Sequence, residues 1–360
     1  MAGKNMDVTS VIGKIKKSTL LFPIAALILM FIVNVIITPD FFKISINNGV
    51  LYGFIIDVLN RSSELIILAV GMTLVVASSR GTDISVGAVM AVSGAIIVRL
   101  LGSSYDGYAM ALPLAIFFGI LGGLACGAFN GLLVARFNIQ PMVATLILYT
   151  AGRGIAQLIS STENATGVIL YVRMESFKWI GGFLPGVVVP TPIFIAILFV
   201  ILTQLFLTKT AFSTYIQTVG INPKAGRLVG INSVLVMFFC YLFCGLSSGV
   251  AGLIASSRIY SSDANNIGLN LEMDAILAVA LGGNSLGGGK FNMAGSIIGA
   301  VTIQCLTTSL YAMGVSADQL PVYKAVVVIL IVLMQSPVFK KWRAEMKLRK
   351  QNAKTIGEAK

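Results

Sequence analysis

Residues 115–135 read AIFFGILGGLACGAFNGLLVA, which is 21 residues without a charge. An α-helix needs about 20 apolar residues to cross the hydrocarbon core of a membrane, so this stretch predicts a spanning helix. Small residues recur at every fourth position: Ala115, Gly119, Gly123, Gly127, Gly131 and Ala135. Gly245 with Gly249, and Gly295 with Gly299, repeat this spacing. Because small residues let helices approach almost backbone to backbone, we expect a tight bundle packed within the chain.

The composition of the chain excludes several classes of protein. Of its 360 residues, 56% are hydrophobic and 11% are charged, whereas soluble chains are about 25% charged. There is no histidine, the usual ligand or base in metal-dependent and acid–base chemistry. The four cysteines lie in apolar stretches, where a thiol packs as a small hydrophobic group: Cys126, Cys240, Cys244 and Cys305. We therefore expect no catalytic residue, metal or cofactor in this chain.

The apolar stretches predict an all-α, polytopic transmembrane helix bundle with about ten spans. Their approximate bounds are 19–38, 62–79, 84–101, 108–134, 140–160, 191–208, 232–256, 272–286, 293–313 and 321–336. Most of the 26 lysines and arginines then fall on one side, which the positive-inside rule places in the cytoplasm together with both termini. The net charge of +12 is thus an orientation signal and does not indicate a nucleic-acid partner.

This topology divides the chain into three parts. Residues 1–18 are predicted to be a cytoplasmic N-terminal segment, residues 19–336 the transmembrane domain, and residues 337–360 a basic cytoplasmic tail. Between spans, the predicted outer loop 161–190 is rich in glycine and proline. It reads as a structured loop with little helix, and either a docking surface or a passive connector fits that composition.

The predicted cytoplasmic segment 209–231 contains no acidic residue. A turn at Gly220 and Asn222 is followed by Pro223, which is well tolerated at the first position of a helix. The next residues predict a short basic helix that carries Lys224 and Arg227 and ends at Gly230. Such a helix is either a contact for a partner protein or a solvated positive-inside loop.

Polar and charged residues near or within the spans are candidates for a translocation path or gate. They are Asp83, Ser85, Asn130, Arg153, Gln157, Asp274 and Asn284. For the carboxylates at the starts of spans, helix capping and the helix dipole are favoured over a functional role. The polar side chains Asn130 and Gln157 either line a route or hold helices together. Arg153 stands in mid-span between two glycines, which favours an aqueous path or a carboxylate partner.

The glycine-rich run 280–290 ends at Lys290 but does not fit a phosphate-binding loop. That motif needs a glycine six residues before the lysine and Ser or Thr after it, whereas Asn284 and Phe291 occupy those positions. The run instead predicts a tight re-entrant turn between the eighth and ninth spans. Pumping against a gradient would therefore need an ion partner or a separate ATPase subunit.

Five segments of the chain carry a resemblance to a known family. They are 71–75 (GMTLV), 81–91 (GTDISVGAVMA), 130–135 (NGLLVA), 219–231 (VGINPKAGRLVGI) and 274–289 (DAILAVALGGNSLGGG). In order and spacing they resemble the permease subunits of bacterial simple-sugar ABC importers, the ribose, xylose, arabinose and galactose group. Segments 56–61, 139–148, 151–159 and 263–269 are most similar to the galactofuranose importer permeases. The segment Ser78–Gly81 departs from the family pattern, because it is one residue longer and adds Arg80.

The resemblance implies a transport subunit that is not itself an enzyme, in a bacterial cell membrane and surrounded by lipid. Its implied partners are an ABC ATP-binding subunit that binds ATP and Mg, an extracellular or periplasmic sugar-binding protein, and a second permease that is identical or paralogous. A sugar, galactofuranose or a related pentose or hexose, would move inward by alternating access. Segment 215–230 matches the family's ATPase-coupling region, with Gly220, Asn222, Pro223, Lys224, Arg227 and Gly230.

Two other classes of protein fit the sequence less well than a transport subunit of an ABC importer. A stand-alone, ion-coupled secondary transporter needs an ion or proton site, and the spans offer only sparse candidates such as Arg153. An integral-membrane enzyme is disfavoured because histidine and clustered acidic motifs are both missing.

Overall fold

The computed structural model describes residues 20–37, 40–47, 49–102, 110–161, 169–335 and 345–346. The predicted N-terminal segment 1–18 lies outside these residues, as does the predicted tail 337–360 apart from 345–346. By its contacts the chain divides into one unit up to Thr308 and a second from Ser309 onward.

The described chain is predominantly helical. Its helices are α1 (Leu21–Ile37), α2 (Phe54–Ser79), α3 (Val86–Leu101), α4 (Leu112–Gly131), α5 (Pro141–Ser160), α6 (Glu175–Gly181), α7 (Thr191–Lys209), α8 (Phe212–Ile221), α9 (Pro223–Leu228), α10 (Ser233–Ile259), α11 (Leu271–Leu281), α12 (Met293–Ala312) and α13 (Leu320–Gln335). A π-helical segment, Leu132–Arg136, extends α4. Strands β1 (Ser45–Asn47) and β2 (Val50–Tyr52) pair antiparallel, and so do β3 (Leu170–Tyr171) and β4 (Ser261–Ser262).

Six helices in the described residues are long and apolar enough to cross a membrane. They are α2, α4 with its π-helical extension, α5, α7, α10 and α12. Apolar helices of 10–17 residues are found in Pro23–Ile36 and in α3. The class of a polytopic helical membrane protein is therefore confirmed, while the number of spans and the side of the termini remain predictions.

Two helices differ from the predicted bounds. Helix α2 begins at Phe54, eight residues before the predicted start, because Asp57 in its first turn suits the positive end of the helix dipole. The predicted span 272–286 is helical only over α11, whose 11 residues extend about 16 Å. A helix of that length cannot cross a hydrocarbon core of about 30 Å by itself.

The centre of the first unit is built from α2, α3 and α10. Helix α10 packs along α2, α3 and α4, and α5 packs against α3. In the most apolar 18-residue stretch of each helix, 89% of the stretch is buried in α2, against 22% in α4 and 28% in α5 and α7. Helix α2 is therefore a core helix on all sides, whereas α4, α5 and α7 expose long apolar faces, as expected of helices in contact with lipid.

The predicted glycine rows pack against each other within the chain. A Cβ atom built on Gly127 would lie 2.9 Å from the Cα of Gly245, and one built on Gly123 would lie 2.9 Å from the Cα of Gly249. Helices α4 and α10 therefore touch through their backbones. Gly299 likewise packs on the Ala278 carbonyl group of α11. The expectation that these rows serve intramolecular packing is confirmed.

The 161–190 segment is anchored to α10 by its short helix α6. The Gly181 amide donates to Ser257 Oγ over 2.6 Å, and that hydroxyl donates to the Phe177 carbonyl group over 2.5 Å. Pairing of β3 with β4 adds a second attachment just beyond α10. The described part of the segment is structured, as predicted, but the seven-residue helix α6 gives it more helix than the sequence indicated.

In the second unit, the chain turns after α12 at Gly314, whose φ of +80° is in the left-handed region. The Gly314 amide donates to the Tyr311 carbonyl group over 3.0 Å, and α13 follows.

Candidate functional site

Asp83 is the centre of a buried polar cluster between α2 and α3. Its carboxylate accepts from the Ser85 amide over 2.9 Å and from the Ser85 hydroxyl over 2.6 Å. Asn130 of α4 donates to Ser85 Oγ over 2.8 Å and to Asp83 Oδ2 over 3.4 Å. Asp83 is 2% exposed, and the other two residues are fully buried. The structure therefore brings three of the predicted candidate residues together.

The arrangement fits the capping interpretation only in part. Asp83 accepts the amide two residues ahead, which is a local turn that sets up the start of α3. Asn130, however, comes from another helix, and its Oδ1 atom is buried without a partner among the described residues. Burial raises the pKa of Asp83 above its ordinary value, while the hydrogen bonds from Ser85 and Asn130 lower it. The cluster thus combines a turn with an acceptor that a water molecule or solute hydroxyl could satisfy.

Two neighbouring helices fix the backbone of this turn. The Asp83 amide points at Met72 Sδ in α2 over 3.4 Å, and the Ile84 amide donates to Thr145 Oγ1 in α5 over 3.2 Å. Gly81 lies directly against the Pro141 side chain at the start of α5. The link between α2 and α3 is therefore held from several sides.

Arg153 and Gln157, on α5, form a second group with the loop that precedes α11. The Arg153 Nη1 atom donates to the carbonyl groups of Ala264, Asn265 and Ile267 at 2.9, 3.1 and 3.0 Å. Gln157 donates to Asn265 Oδ1 over 2.6 Å. Because Arg153 lies in the middle of α5, the loop before α11 packs against the middle of that helix. The hydrogen bonds that the structure gives Arg153 thus go to backbone carbonyl groups rather than to a carboxylate.

Glu272 is a buried carboxylate that the sequence analysis did not include among its candidates. It is 1% exposed, it packs against Gly87 of α3, and it is close enough to Arg153 for the two charges to attract each other. In the described residues, Glu272 Oε2 and Arg153 Nη2 are both buried without a hydrogen-bond partner. Its sequence signal is an acidic residue at the start of an apolar stretch, whereas its proximity to Arg153 depends on the fold.

The remaining two candidates lie elsewhere. Asp274 is buried in α11, at 7% exposed. Asn284 joins α11 to α12, because its amide donates to Ser296 Oγ over 2.9 Å and its Oδ1 accepts from the Asn292 amide over 2.5 Å. Asn284 therefore braces the tight turn that the glycine-rich run predicted. The seven candidates form several groups rather than one site.

The predicted coupling segment 209–231 folds into α8 and α9. Asn222 caps α9, since its Oδ1 accepts from the amides of Lys224 and Ala225 over 3.0 and 3.2 Å. The predicted turn is shorter than expected, because Gly220 lies within α8. Pro223 is the first residue of α9. Gly230, with a φ of +81°, ends the turn that follows. The predicted short basic helix is confirmed.

The far end of α9 exposes apolar side chains that the sequence analysis missed. Leu228 is 89% exposed and Val229 is 71% exposed, beside the exposed Lys224 and Arg227. Arg227 Nε donates to Ser233 Oγ over 3.0 Å, which ties α9 to the start of α10. A cleft of about 420 Å³ adjoins this tip, and its lining includes Phe212, Tyr215, Val229, Ile231, Leu235, Val236 and Phe239.

Residues 54–335 match the protein family described as branched-chain amino acid transport system / permease component. The chain belongs to this family. The match covers both the Asp83 cluster and the coupling segment. No solved structure matches the chain.

Several curated relatives of this permease have names that describe sugar transport. It is 41% identical to the galactofuranose transporter permease protein YtfT of Escherichia coli K12, over 88% of this chain and 89% of the relative. It is 40% identical to the fructose import permease protein FruF of Bifidobacterium longum, over 97% and 96%. It is 36% identical to the ribose import permease protein RbsC of Escherichia coli K12, over 87% and 92%.

These matches confirm the resemblance drawn from the motifs. This permease is a multi-pass protein of the plasma membrane, in agreement with its six spanning-length apolar helices among the described residues. Its relatives are permease subunits, which are not enzymes.

Proposed function

We propose that this chain is the membrane-spanning permease subunit of an ATP-driven ABC importer that carries a simple sugar into the cell. The observation that carries the proposal is its similarity, over nearly its whole length, to permeases named for galactofuranose, fructose and ribose. The substrate is a pentose or hexose. The motif resemblance favours galactofuranose, although the 41% and 40% identities to the galactofuranose and fructose permeases hardly differ.

The partners follow from this role. An ABC ATP-binding subunit binds ATP and Mg and drives the cycle, since this chain is proposed to hold no cofactor. A sugar-binding protein delivers the solute from outside, and a second permease, identical or paralogous, completes the pore. In the proposed topology of ten spans, the short α11 and the loop before it together make up one span, both termini lie in the cytoplasm, and α8 and α9 lie on the cytoplasmic face.

The coupling segment is the contact for the ATP-binding subunit. Leu228 and Val229 offer an exposed apolar tip, and Lys224 and Arg227 add positive charge around it. Buried apolar contact surrounded by charge is a suitable basis for a specific interface. The caps at Asn222 and Gly230 keep α9 short and rigid, so it moves as one body when the ATP-binding subunits close.

The opposite loop is the docking region for the binding protein. A cleft of about 570 Å³ is formed there by the 161–190 segment and the end of α10, and its lining is Val172, Arg173, Glu175, Lys178, Trp179 and Tyr260. Charged groups of both signs around aromatic rings suit a polar, transient interface.

The translocation path includes the Asp83 cluster and the group around Arg153, with Asp274 and Asn284 shaping α11 beside it. Three buried atoms that have no hydrogen-bond partner within the described part of the chain offer one donor and two acceptors: Arg153 Nη2, Asn130 Oδ1 and Glu272 Oε2. Sugar hydroxyl groups both donate and accept hydrogen bonds, so they match such a set. The path alternates between outward-open and inward-open states, with affinity supplied mainly by the binding protein.

The test is ATP hydrolysis by the complete importer in lipid nanodiscs. We expect the binding protein loaded with one of galactose, fructose or ribose to stimulate hydrolysis, and the other sugars to do so weakly. The control is the charge-reversed variant Lys224→Glu with Arg227→Glu, which should insert normally but lose stimulation. Stimulation that persists in this variant would show that the coupling assignment is wrong, and no stimulation by any sugar would refute the substrate class.

A further inference from the structure

Arg80 joins the end of α2 to the end of α8. Its Nε atom donates to the Gly220 carbonyl group over 2.7 Å, and its Nη2 atom donates to the Ile221 carbonyl group. These are the last two residues of α8, where carbonyl groups have no partner within the helix. A guanidinium group there also interacts favourably with the negative end of the helix dipole.

The backbones of α2 and α8 also touch each other directly beside Arg80. Gly220 has no room for a Cβ atom, which would collide with the Ala77 carbonyl oxygen and lie 2.6 Å from the Gly289 nitrogen. The Gly289 amide in turn donates to that Ala77 oxygen over 2.9 Å. Helix α8 therefore cannot shift here without moving the end of α2.

The backbone of Arg80 is unusual for its residue type. Its φ of 58° and ψ of 29° are left-handed, a conformation that glycine adopts easily and other residues rarely do. The guanidinium group reaches two carbonyl groups from that position, which gives a reason for an arginine where glycine would be relaxed.

Arg80 is separated from the Asp83 cluster by only two residues. Thr82 is 7% exposed and Asp83 is 2% exposed, so the link enters the interior immediately after Arg80. On the other side, α9 packs on α8 and α10, and α8 packs on α2. A continuous chain of contacts thus runs from the exposed tip of α9 to the buried carboxylate of Asp83.

We propose that Arg80 is the positioning residue that transmits movement of the coupling segment to the Asp83 turn. This inference rests on the proposed function, because it takes α8 and α9 as the part moved by the ATP-binding subunit. When α8 moves, the two carbonyl groups carry the guanidinium group with them, and the Arg80 backbone re-orients the start of α3. Without the guanidinium group, α8 still moves the end of α2 through the contact of Gly220 with Ala77, but the turn from Arg80 to Asp83 follows it less closely.

The test uses Arg80→Gly, which relaxes the backbone and removes the guanidinium group, and Arg80→Lys, which retains a single cationic donor. The complete importer is reconstituted in proteoliposomes, and the sugar molecules imported per ATP hydrolysed are counted. We expect this ratio to fall about tenfold in Arg80→Gly, within the range typical of coupling between sites, and to fall less in Arg80→Lys. Arg136→Gln, which changes an exposed basic residue at the end of another helix, should leave the ratio unchanged.

A second readout does not depend on sugar. Hydrogen–deuterium exchange of residues 80–85 is compared in the complex with and without a non-hydrolysable ATP analogue. We expect a nucleotide-dependent difference in the wild type that is absent in Arg80→Gly. If this holds while no sugar is imported, the proposed substrate is wrong and the role of Arg80 stands.

Two results would overturn the role of Arg80 and leave the proposed function intact. The first is an Arg80→Gly importer that keeps both the wild-type ratio of sugar imported to ATP hydrolysed and the wild-type nucleotide-dependent exchange difference. The other is a variant that inserts in smaller amounts but keeps the wild-type ratio, because that pattern indicates a role in folding alone.

Discussion

Replacing Gly127 by alanine tests the close contact between α4 and α10. The added Cβ atom would lie 2.5 Å from the Tyr241 carbonyl oxygen, 2.9 Å from the Gly245 Cα atom and 3.0 Å from the Gly245 nitrogen. All three are backbone atoms that cannot rotate away, and ordinary contacts between carbon atoms need about 3.5–4.0 Å. The helices must therefore separate by about 1 Å along the row. Overpacking of this kind costs about 1–3 kcal/mol.

The matched control is Gly154→Ala in α5. Nothing lies within 4 Å of a Cβ atom at Gly154, so only the intrinsic helix preference for alanine, worth about 1 kcal/mol, remains. Since that preference is common to both variants, the difference between them isolates the packing penalty. We expect the unfolding midpoint in detergent to fall in Gly127→Ala relative to Gly154→Ala. Equal midpoints for the two variants would refute the backbone contact.

Three further substitutions test the site and its supports. Asp83→Asn replaces one acceptor oxygen by a donor opposite Ser85 and Asn130. We expect it to lose a charge-assisted hydrogen bond worth about 1.5–3 kcal/mol and to lower both the unfolding midpoint and uptake; unchanged values would count against the cluster. Leu228→Asp should fold normally but fail to co-purify with the ATP-binding subunit, whereas Leu228→Met should still bind, and equal recovery of both would exclude the tip as the contact. Arg258→Met should destabilise the chain by up to about 3 kcal/mol, because it removes the cation 3.4 Å from the buried Glu64 and leaves Glu64 only the attraction of Arg61; adding Glu64→Gln should restore much of the midpoint.

Most of the helices could be predicted from the sequence, because their signal is local. Apolar stretches of sufficient length predicted α4, α5, α7 and α10 with ends within a few residues of the observed ones. The rows of small residues predicted where helices touch. The glycine-rich run predicted the turn back to α12, but the predicted end of the span at residue 286 lies beyond the end of α11 at Leu281.

The candidate site was predicted less completely, because its pairings are long-range. Pro223 was identified correctly as the first residue of a helix, since a first-turn proline acts locally. The contact of Asn130 with Ser85 joins residues 45 positions apart, and nothing local reports it. Arg80 was noted as a departure from the family pattern, but its partners at the end of α8 lie some 140 residues away. Hydrogen bonds of this kind depend on the fold rather than on local preference.

The most direct test of the account is uptake of a labelled sugar into proteoliposomes that hold this permease, its permease and ATP-binding partners, and the sugar-binding protein. ATP is supplied on the side of the ATP-binding subunits, and an ionophore abolishes ion gradients. The account predicts uptake that needs both ATP and the binding protein and is unaffected by the ionophore. Uptake by the permease alone that the ionophore abolishes would contradict it and indicate an ion-coupled secondary transporter.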